Sequence, residues 1–242
     1  MLLNDIFRIF SVILAIWGLL ITLLFISNSS MKNVLSETNR LMKNVRIDQI
    51  KLKKPSNNYL FFKRLTDICF CVVSLPTLLP LFLLTGILIK IDSRGPILQT
   101  TKRIGLNGQT FNSFKFRTMY THKDEEHHES VTAVGRFLRK AALDEVPLII
   151  NVLRGDMSLV GRSQILDFTN VATIITPEMY NDLLAIKPGI VSLWSISYDK
   201  IKHNTESLLL HDLVYISKMS FLFDLKILLS TTVVALGKAG AY

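Results

Sequence analysis

Two adjacent carboxylates, Asp144 and Glu145, lie in a largely apolar run, residues 131–161, that also carries three arginines and a lysine. A carboxylate beside basic side chains can act as a nucleophile or as a ligand of a divalent cation. Pro147 and Gly155 are typical of the start and end of a short helix, which places the two acids before it or in its first turn. Acids there also stabilise a helix N-terminus, so helix capping is the alternative interpretation.

Membrane segments are expected from the composition of the chain, whose mean hydropathy is +0.36. Residues 9–26 contain no charge and are long enough to cross a bilayer, so a transmembrane helix is predicted within residues 1–30. A cleaved signal peptide is the competing interpretation, but no convincing small-residue cleavage site follows the segment. The net charge of +9 also indicates anionic partners, without choosing among lipid, nucleic acid and phosphorylated substrates.

A basic linker, residues 31–62, follows the first apolar segment. Nine basic residues and two acids lie between Lys32 and Arg64, so the positive-inside rule places this part of the chain in the cytoplasm. Apolar residues recur in it at helical spacing, which favours an amphipathic helix at the lipid surface. A solvated linker or a self-pairing helix explains the pattern nearly as well.

The second apolar run, residues 68–89, contains Pro76 and Pro80, which are expected to break or kink a helix. Basic residues flank it on both sides, among them Lys63 and Lys90. Such flanks favour a re-entrant segment, residues 67–91, that enters and leaves the membrane on one face. The alternative is a proline-kinked spanning helix, which would place the rest of the chain outside the cell.

The remainder is typical of a small α+β domain that is predominantly helical and membrane-associated. Short strands are predicted up to Met119, with a turn at Gly105–Gly108, a helix over residues 177–186 and a turn at residues 187–189. Residues 207–236 are apolar at helical spacing and could pack on the core or rest on lipid. Residues 122–129 are rich in potential metal ligands but are better explained as a hydrated loop. Cys69 and Cys71 form no metal-ligand or disulfide pattern.

Several motifs together resemble the bacterial sugar transferases, and more narrowly the monotopic phosphoglycosyl transferases. They are KFRTM (residues 115–119), GRFLRK (135–140), LDEVP (143–147), NVLRGDMSLVG (151–161), KPG (187–189) and the late DLVY and FDLKILLST. The resemblance runs in unbroken order from about Lys63 to the end of the chain, so residues 63–242 are assigned to that domain. It implies transfer of a phosphosugar from a nucleotide diphosphate sugar to a polyprenyl phosphate, commonly undecaprenyl phosphate, with release of a nucleoside monophosphate.

The resemblance also implies residue roles. Asp144 would be the nucleophile that takes up the phosphosugar covalently, and Glu145 would help to hold Mg²⁺. Arg139 would bind substrate phosphate, for which a guanidinium is well suited, and Lys115 and Arg117 would line the same basic pocket. For these last two, surface charge or contact with lipid headgroups is the alternative.

Pro80 corresponds to the proline that breaks the family's re-entrant helix. The implied location is the cytoplasmic face of the bacterial inner membrane, where the enzyme would begin assembly of an exopolysaccharide, capsule, O-antigen or other glycoconjugate. Other glycan-assembly enzymes are further partners that this role suggests.

Departures from the family pattern leave a second hypothesis open. Ser130, Ala142, Leu148 and residues 162–164 differ from the residues usual at those positions, and the missing serine at position 142 removes a helix cap worth about 1 kcal/mol. A catalytically silent relative that scaffolds a glycan-assembly complex would tolerate such changes. A membrane-tethered nucleic-acid binder rests on charge alone, because the sequence contains no recognisable nucleic-acid module.

Overall fold

The computed structural model describes residues 50, 52, 54–121, 131–164, 171, 174–196 and 205–239. The predicted transmembrane helix at residues 9–26, most of the basic linker, the loop at residues 122–129 and Ser130 lie outside the described residues. The described part is mostly helical with short strands, which confirms the predicted α+β class.

The longest element is helix α1, Asn57–Asp92, of 36 residues. Ser56 caps its start by accepting a hydrogen bond from the Tyr59 N–H at 3.2 Å. In the described part of the chain, this is the helix that is long and apolar enough to cross a membrane, by length and composition alone.

The prolines do not break the helix, because α1 continues through Pro76 and Pro80. A kink at these residues stays a prediction. Helix α1 also begins ten residues before the predicted start at residue 67. Both prolines are exposed, and the N–H that Pro80 lacks would have paired with the carbonyl of Pro76. The missing donors therefore weaken adjoining turns on one side of the helix and leave its other hydrogen bonds in place.

A hairpin follows α1. Strands β1, Leu98–Ile104, and β2, Thr110–Phe116, pair antiparallel with Leu98 opposite Phe116. They are joined by a 3-10 turn, Leu106–Gly108, in which Asn107 has a left-handed backbone with φ 53°. Asparagine tolerates this conformation well, and the predicted hairpin turn is confirmed.

The carboxylate pair lies in the next group of elements. Helix α2, Ala133–Lys140, leads to a 3-10 turn, Leu143–Glu145, and then to helix α3, Leu148–Arg154, and strand β3, Ser158–Val160. Gly155 ends α3 with φ 93°. The short helix between Pro147 and Gly155, with the acids before it, is therefore confirmed.

The C-terminal elements are helix α4, Pro177–Leu184, strand β4, Gly189–Val191, and helices α5, Leu193–Ile196, α6, Thr205–Lys218, and α7, Phe221–Ala239. The turn predicted at residues 187–189 is wrong. Pro188 forms a parallel bridge with Arg162, and Gly189 begins β4, which pairs with β3. Proline fits there because its carbonyl accepts from the Ser158 N–H at 3.0 Å and no N–H is needed from it.

Both ends of α1 pack on this same body. Near its start, Tyr59 and Lys63 contact Asp224 of α7 at 2.7 and 2.6 Å. At its end, the Asp92 carboxylate accepts from the Val134 N–H of α2 at 3.1 Å. Between them one face is buried at helical spacing, through Asp67, Cys71, Ser74, Thr85, Gly86 and Ile89.

The opposite face of α1 is apolar and exposed, as Val73, Leu79, Leu83, Ile87 and Ile91 show. The start of α7 adds Phe221, Leu222 and Leu225. The residues of α6, by contrast, are largely buried in the core. Exposed apolar surface of this extent is typical of a protein that rests in lipid. Of the predicted C-terminal apolar segment, α6 therefore packs in the core, and the start of α7 leaves apolar side chains exposed.

Candidate active site

The carboxylate pair is presented by a sharp reversal of the backbone between α2 and α3. Ala142 has a left-handed backbone with φ 53°, and the 3-10 turn of Asp144 and Glu145 follows directly. No side chain caps this turn. A left-handed alanine costs about 1–2 kcal/mol, so the position of the two acids is maintained by packing on both sides and not by a local cap.

Lys115 is brought to the dyad by β2. Its ammonium group donates to Oε1 of Glu145, and both side chains are partly exposed. Lys115 is therefore in direct contact with the dyad through Glu145, and its role in lining a substrate pocket stays a prediction.

Asp144 has a different environment from its neighbour. It forms no ion pair and no hydrogen bond with another side chain of the described residues. Burial raises the pKa of Asp144, and so does the adjacent Glu145, while Lys115 and Arg139 act in the opposite direction. The result is a partly desolvated carboxylate beside two cations, which is a suitable setting for a nucleophile.

Arg139 lies in the last turn of α2, near enough to Asp144 for its charge to lower the pKa of that carboxyl. Its Nε donates to Thr118 Oγ1 at 2.8 Å, which fixes the side chain while its terminal nitrogens form no hydrogen bond with the described residues. The start of α2 is fixed as well, because Thr132 accepts from the Gly135 N–H at 2.9 Å. Arg139 is thus oriented and still able to bind an anion.

Arg117 is not brought to the dyad. The residue is 5% exposed, and its guanidinium donates to the carbonyls of Ser93 and Arg94 and to the hydroxyl of Thr121 at 2.7–3.0 Å. These bonds cap the C-terminal end of α1, where backbone carbonyls have no partner within the helix. Pro80 also lies apart from the dyad, on the exposed side of α1.

Asn151 was not predicted as a site residue, yet it fixes the geometry of the site. It is fully buried in α3. Its Oδ1 accepts from the Phe114 N–H at 3.0 Å, and its Nδ2 donates to the Asn112 carbonyl at 2.7 Å. An asparagine in the apolar run of residues 148–153 was the available signal, since a buried amide needs partners.

The other end of α3 is held by α1. Arg64 donates to the carbonyls of Val152 and Leu153 at 2.5 and 2.9 Å. A cation at a helix C-terminus is also favoured by the helix dipole. Helix α1 and the hairpin therefore set the position of α3, which the dyad precedes.

Arg162, which departs from the family pattern, is fully buried. It donates to the carbonyls of Ile104 and Ile186 at 2.8 and 2.9 Å. Next to it, Asp212 accepts from the N–H and hydroxyl of Ser163 at 2.8 and 2.9 Å. These residues fix the segment after β3 within the core.

The dyad fits Mg²⁺ bound together with a substrate. Within the described ranges, no group of three His, Cys, Asp or Glu side chains gathers to form a complete protein site. Mg²⁺ commonly uses one or two carboxylates and takes its other ligands from phosphate and water. Asp144 and Glu145 supply such carboxylates, and one oxygen of Glu145 is already in contact with Lys115.

Comparison with known proteins gives a match to the family described as bacterial sugar transferase over residues 58–238. The chain is 34% identical over 188 residues to a UDP-N-acetylgalactosamine-undecaprenyl-phosphate N-acetylgalactosaminephosphotransferase of Aeromonas hydrophila, covering 73% of this chain and 44% of that protein. It is 35% identical over 184 residues to an undecaprenyl-phosphate glucose phosphotransferase of Komagataeibacter xylinus, covering 70% and 35%. It is 34% identical over 203 residues to the exopolysaccharide production protein ExoY of Sinorhizobium fredii, covering 74% and 88%. The chain thus spans less than half the length of the first two relatives. Both carboxylates, Lys115 and Arg139 lie within the range that matches the family, residues 58–238.

Proposed function

Since this chain belongs to the bacterial sugar transferase family, we propose that it transfers a phosphosugar from a nucleotide diphosphate sugar to a polyprenyl phosphate such as undecaprenyl phosphate. The other product is a nucleoside monophosphate. The observation that carries this proposal is the dyad itself, with Asp144 unpaired, Glu145 bound to Lys115, and Arg139 alongside. Two relatives named as undecaprenyl-phosphate sugar phosphotransferases support this choice of acceptor.

In the first step, a carboxylate oxygen of Asp144 attacks the phosphorus that carries the sugar. A new O–P bond forms, and the P–O bond to the nucleoside monophosphate breaks, with its electron pair leaving on the monophosphate. The protein then holds an aspartyl phosphosugar. Asp144 suits this role because no ion pair with a described residue has to be broken before it attacks.

In the second step, a phosphate oxygen of the polyprenyl phosphate attacks the same phosphorus. The bond to Asp144 breaks and the carboxylate is regenerated, which leaves a polyprenyl diphosphate sugar. Two successive displacements at one phosphorus allow the water-soluble donor and the lipid acceptor to use the same site in turn.

The basic side chains bind and orient the anionic substrate. Arg139 presents its terminal nitrogens to phosphate oxygens, and Lys115 supplies a second positive charge beside Glu145. Glu145 would help to hold Mg²⁺, whose charge offsets that of the diphosphate.

The membrane topology that we propose is re-entrant. A straight helix of the length of α1 would measure about 54 Å, well beyond a bilayer core of about 30 Å. Both ends of α1 contact the same body through Lys63 and Asp92, so a crossing would draw charged parts of that body into lipid. Entry and return on the cytoplasmic face of the inner membrane avoids this cost and places the dyad where nucleotide sugars are available.

The experiment is an assay of nucleoside monophosphate release. The purified chain is incubated with Mg²⁺, undecaprenyl phosphate and a panel of nucleotide sugars. We expect release with at least one sugar, a loss of about 1,000-fold or more in Asp144→Asn, and near-normal activity in the control Asp182→Asn. Failure of the wild-type protein with every sugar would overturn the proposal. If glycan assembly in cells is lost without the protein but is normal with Asp144→Asn, the catalytically silent scaffold is favoured instead.

A further inference from the structure

One face of the β1–β2 hairpin carries a row of polar side chains beside the dyad. In an antiparallel pair, residues directly opposite each other point to the same face. Gln99 is opposite Lys115, Thr101 is opposite Ser113, and Arg103 is opposite Phe111. Thr101, Arg103 and Ser113 therefore share the face from which Lys115 contacts Glu145.

Three atoms on this face are enclosed and have no hydrogen-bond partner among the described residues. They are Thr101 Oγ1, Arg103 Nε and Ser113 Oγ, and the Ser113 side chain is 0% exposed. Enclosed polar atoms are normally paired. Three unpaired atoms on one hairpin face, next to a reactive pair of acids, indicate that their partner comes from outside the protein.

Arg103 is the most informative of the three. Its half-buried side chain forms no hydrogen bond or ion pair with any residue that the structure describes. Among the described residues, Nε of the buried Arg117 also lacks a partner, but the terminal nitrogens of Arg117 and the guanidinium of Arg162 donate to backbone carbonyls, whereas Arg103 donates to none. Burial lowers the pKa of Arg103, and the nearby charge of Glu145 opposes that effect. Because the nearby Glu145 carboxylate is already bound by Lys115, this desolvated guanidinium remains able to bind a further anion.

We propose that Arg103, with the hydroxyls of Thr101 and Ser113, forms a phosphate-binding subsite on the hairpin face adjacent to the dyad. The identity of the phosphate compound that binds there rests on the proposed function. A guanidinium and two hydroxyls can all donate, which matches the several acceptor oxygens of a phosphate group. That phosphate belongs either to the nucleotide sugar or to the polyprenyl phosphate.

Binding of inorganic pyrophosphate to the full chain, measured by calorimetry without nucleotide sugar or lipid, tests the subsite independently of turnover. We expect Arg103→Gln to weaken binding by about 10-fold or more and Ser113→Ala by about 3-fold. The matched control is Lys102→Gln, which removes the same charge from the neighbouring exposed position on the other face of β1 and should leave binding within about 2-fold.

Thermal unfolding distinguishes anion binding by these residues from a purely structural role. Because the Ser113 hydroxyl has no partner in the protein, Ser113→Ala should unfold at the same temperature as the wild type or higher while binding pyrophosphate less well. Arg103→Lys retains a charge and should recover part of the binding lost in Arg103→Gln, which shows that the change acts on the anion.

Two half-reactions identify which phosphate occupies the subsite. Slower release of nucleoside monophosphate without lipid assigns it to the nucleotide sugar, and slower transfer from a preformed adduct to undecaprenyl phosphate assigns it to the lipid. The proposal is overturned if the wild type does not bind pyrophosphate, if Arg103→Gln binds it normally, or if both half-reactions keep wild-type rates in that variant. A wild type that binds pyrophosphate through Arg103 but releases no monophosphate would contradict the transferase function and leave the anion site standing.

Discussion

Asp144 and Glu145 are neighbours in the chain but differ in what surrounds them. Glu145 is held by Lys115, whereas Asp144 has a raised pKa caused first by burial and then by Glu145. Pairs of acids in unequal surroundings commonly divide their roles. The division proposed for this chain, a nucleophile and a cation ligand, therefore follows from one ion pair and one partly desolvated side chain.

The left-handed backbone of Ala142 gives a prediction about stability. Glycine adopts φ 53° without the steric cost that alanine incurs. After the greater flexibility of glycine in the unfolded chain is subtracted, Ala142→Gly should raise the free energy of unfolding by up to about 1 kcal/mol. Chemical denaturation of both proteins measures this difference. A clearly less stable variant would show that the turn is not strained at this residue.

Asp212 gives a prediction about pH. Burial raises the pKa of Asp212 to about 7, although the hydrogen bonds from Ser163 and the charge of Arg162 oppose the rise. A folded-state pKa above the ordinary value means that this residue favours the fold at low pH and ceases to do so as the pH rises from about 4 through about 7. Its Oδ2 has no partner among the described residues, so an amide group can take its place.

We therefore expect Asp212→Asn to unfold at a higher temperature than the wild type at pH 8 and at a similar temperature near pH 4. Thermal unfolding across a pH series measures the difference, with Asp182→Asn as the control for loss of a carboxylate. A difference that does not change with pH would contradict the assignment.

At the residue scale, sequence motifs placed the dyad, Lys115 and Arg139 together, and the structure brings these four residues to one place. The motifs did not predict the position of Arg117, whose guanidinium is captured by carbonyls at the end of α1. A long side chain turns toward whichever acceptors the tertiary fold brings within reach. Those acceptors, Ser93 and Arg94, directly follow a helix and lie more than twenty residues from Arg117, so no local pattern encodes them.

At the scale of elements, α3 is held from two directions. Asn151 joins it to β2 by hydrogen bonds, and Arg64 of α1 donates to a carbonyl at its C-terminal end. Because the dyad turn precedes α3 and Lys115 lies in β2, these contacts determine how Lys115 meets Glu145. The hairpin and the apolar helix thus act as supports for the candidate site.

Replacing Asn151 tests this support. In Asn151→Ala, the Phe114 N–H and the Asn112 carbonyl lose their partners inside the protein. We expect a loss of about 2–4 kcal/mol in the free energy of unfolding. The control is Asn112→Ala, since that side chain is exposed and its carbonyl remains. Equal stabilities for the two variants would exclude the bridging role.

Local signals in the sequence predicted the hairpin, α3 and α4, because glycine, asparagine, proline and a threonine cap mark their ends. They did not predict that α1 begins at Asn57 or that residues 188 and 189 join a sheet. The first depends on contacts of Tyr59 and Lys63 with Asp224, far along the chain. The second depends on pairing with Arg162 and β3. Non-local pairing of this kind has no local sequence signature.

At the scale of the whole molecule, the two faces of α1 have different partners. One face packs on the body that carries the dyad, and the other is a continuous apolar surface extended by Phe221 and Leu222 of α7. The arrangement would hold the dyad at a fixed height above the lipid surface, where a polyprenyl phosphate presents its headgroup.

Cysteine labelling tests the proposed topology. Single cysteines are placed at two exposed positions in a Cys69→Ser, Cys71→Ala background: Ser56, directly before α1, and Lys90, in its last turn. Both should react with a membrane-impermeant maleimide in inside-out vesicles and neither in intact spheroplasts. A cysteine at Val73, which is exposed to lipid in the proposed arrangement, should be protected in both. Labelling of the two ends from opposite sides would establish a spanning helix.

Covalent transfer through Asp144 is tested most directly by the mass of the protein after incubation with Mg²⁺ and a reactive nucleotide sugar in the absence of lipid. We predict a gain equal to one phosphosugar, located on Asp144 by peptide fragmentation, absent from Asp144→Asn and removed when undecaprenyl phosphate is added. Release of nucleoside monophosphate and formation of the lipid product without any adduct, or with an adduct on another residue, would contradict the proposed role of Asp144.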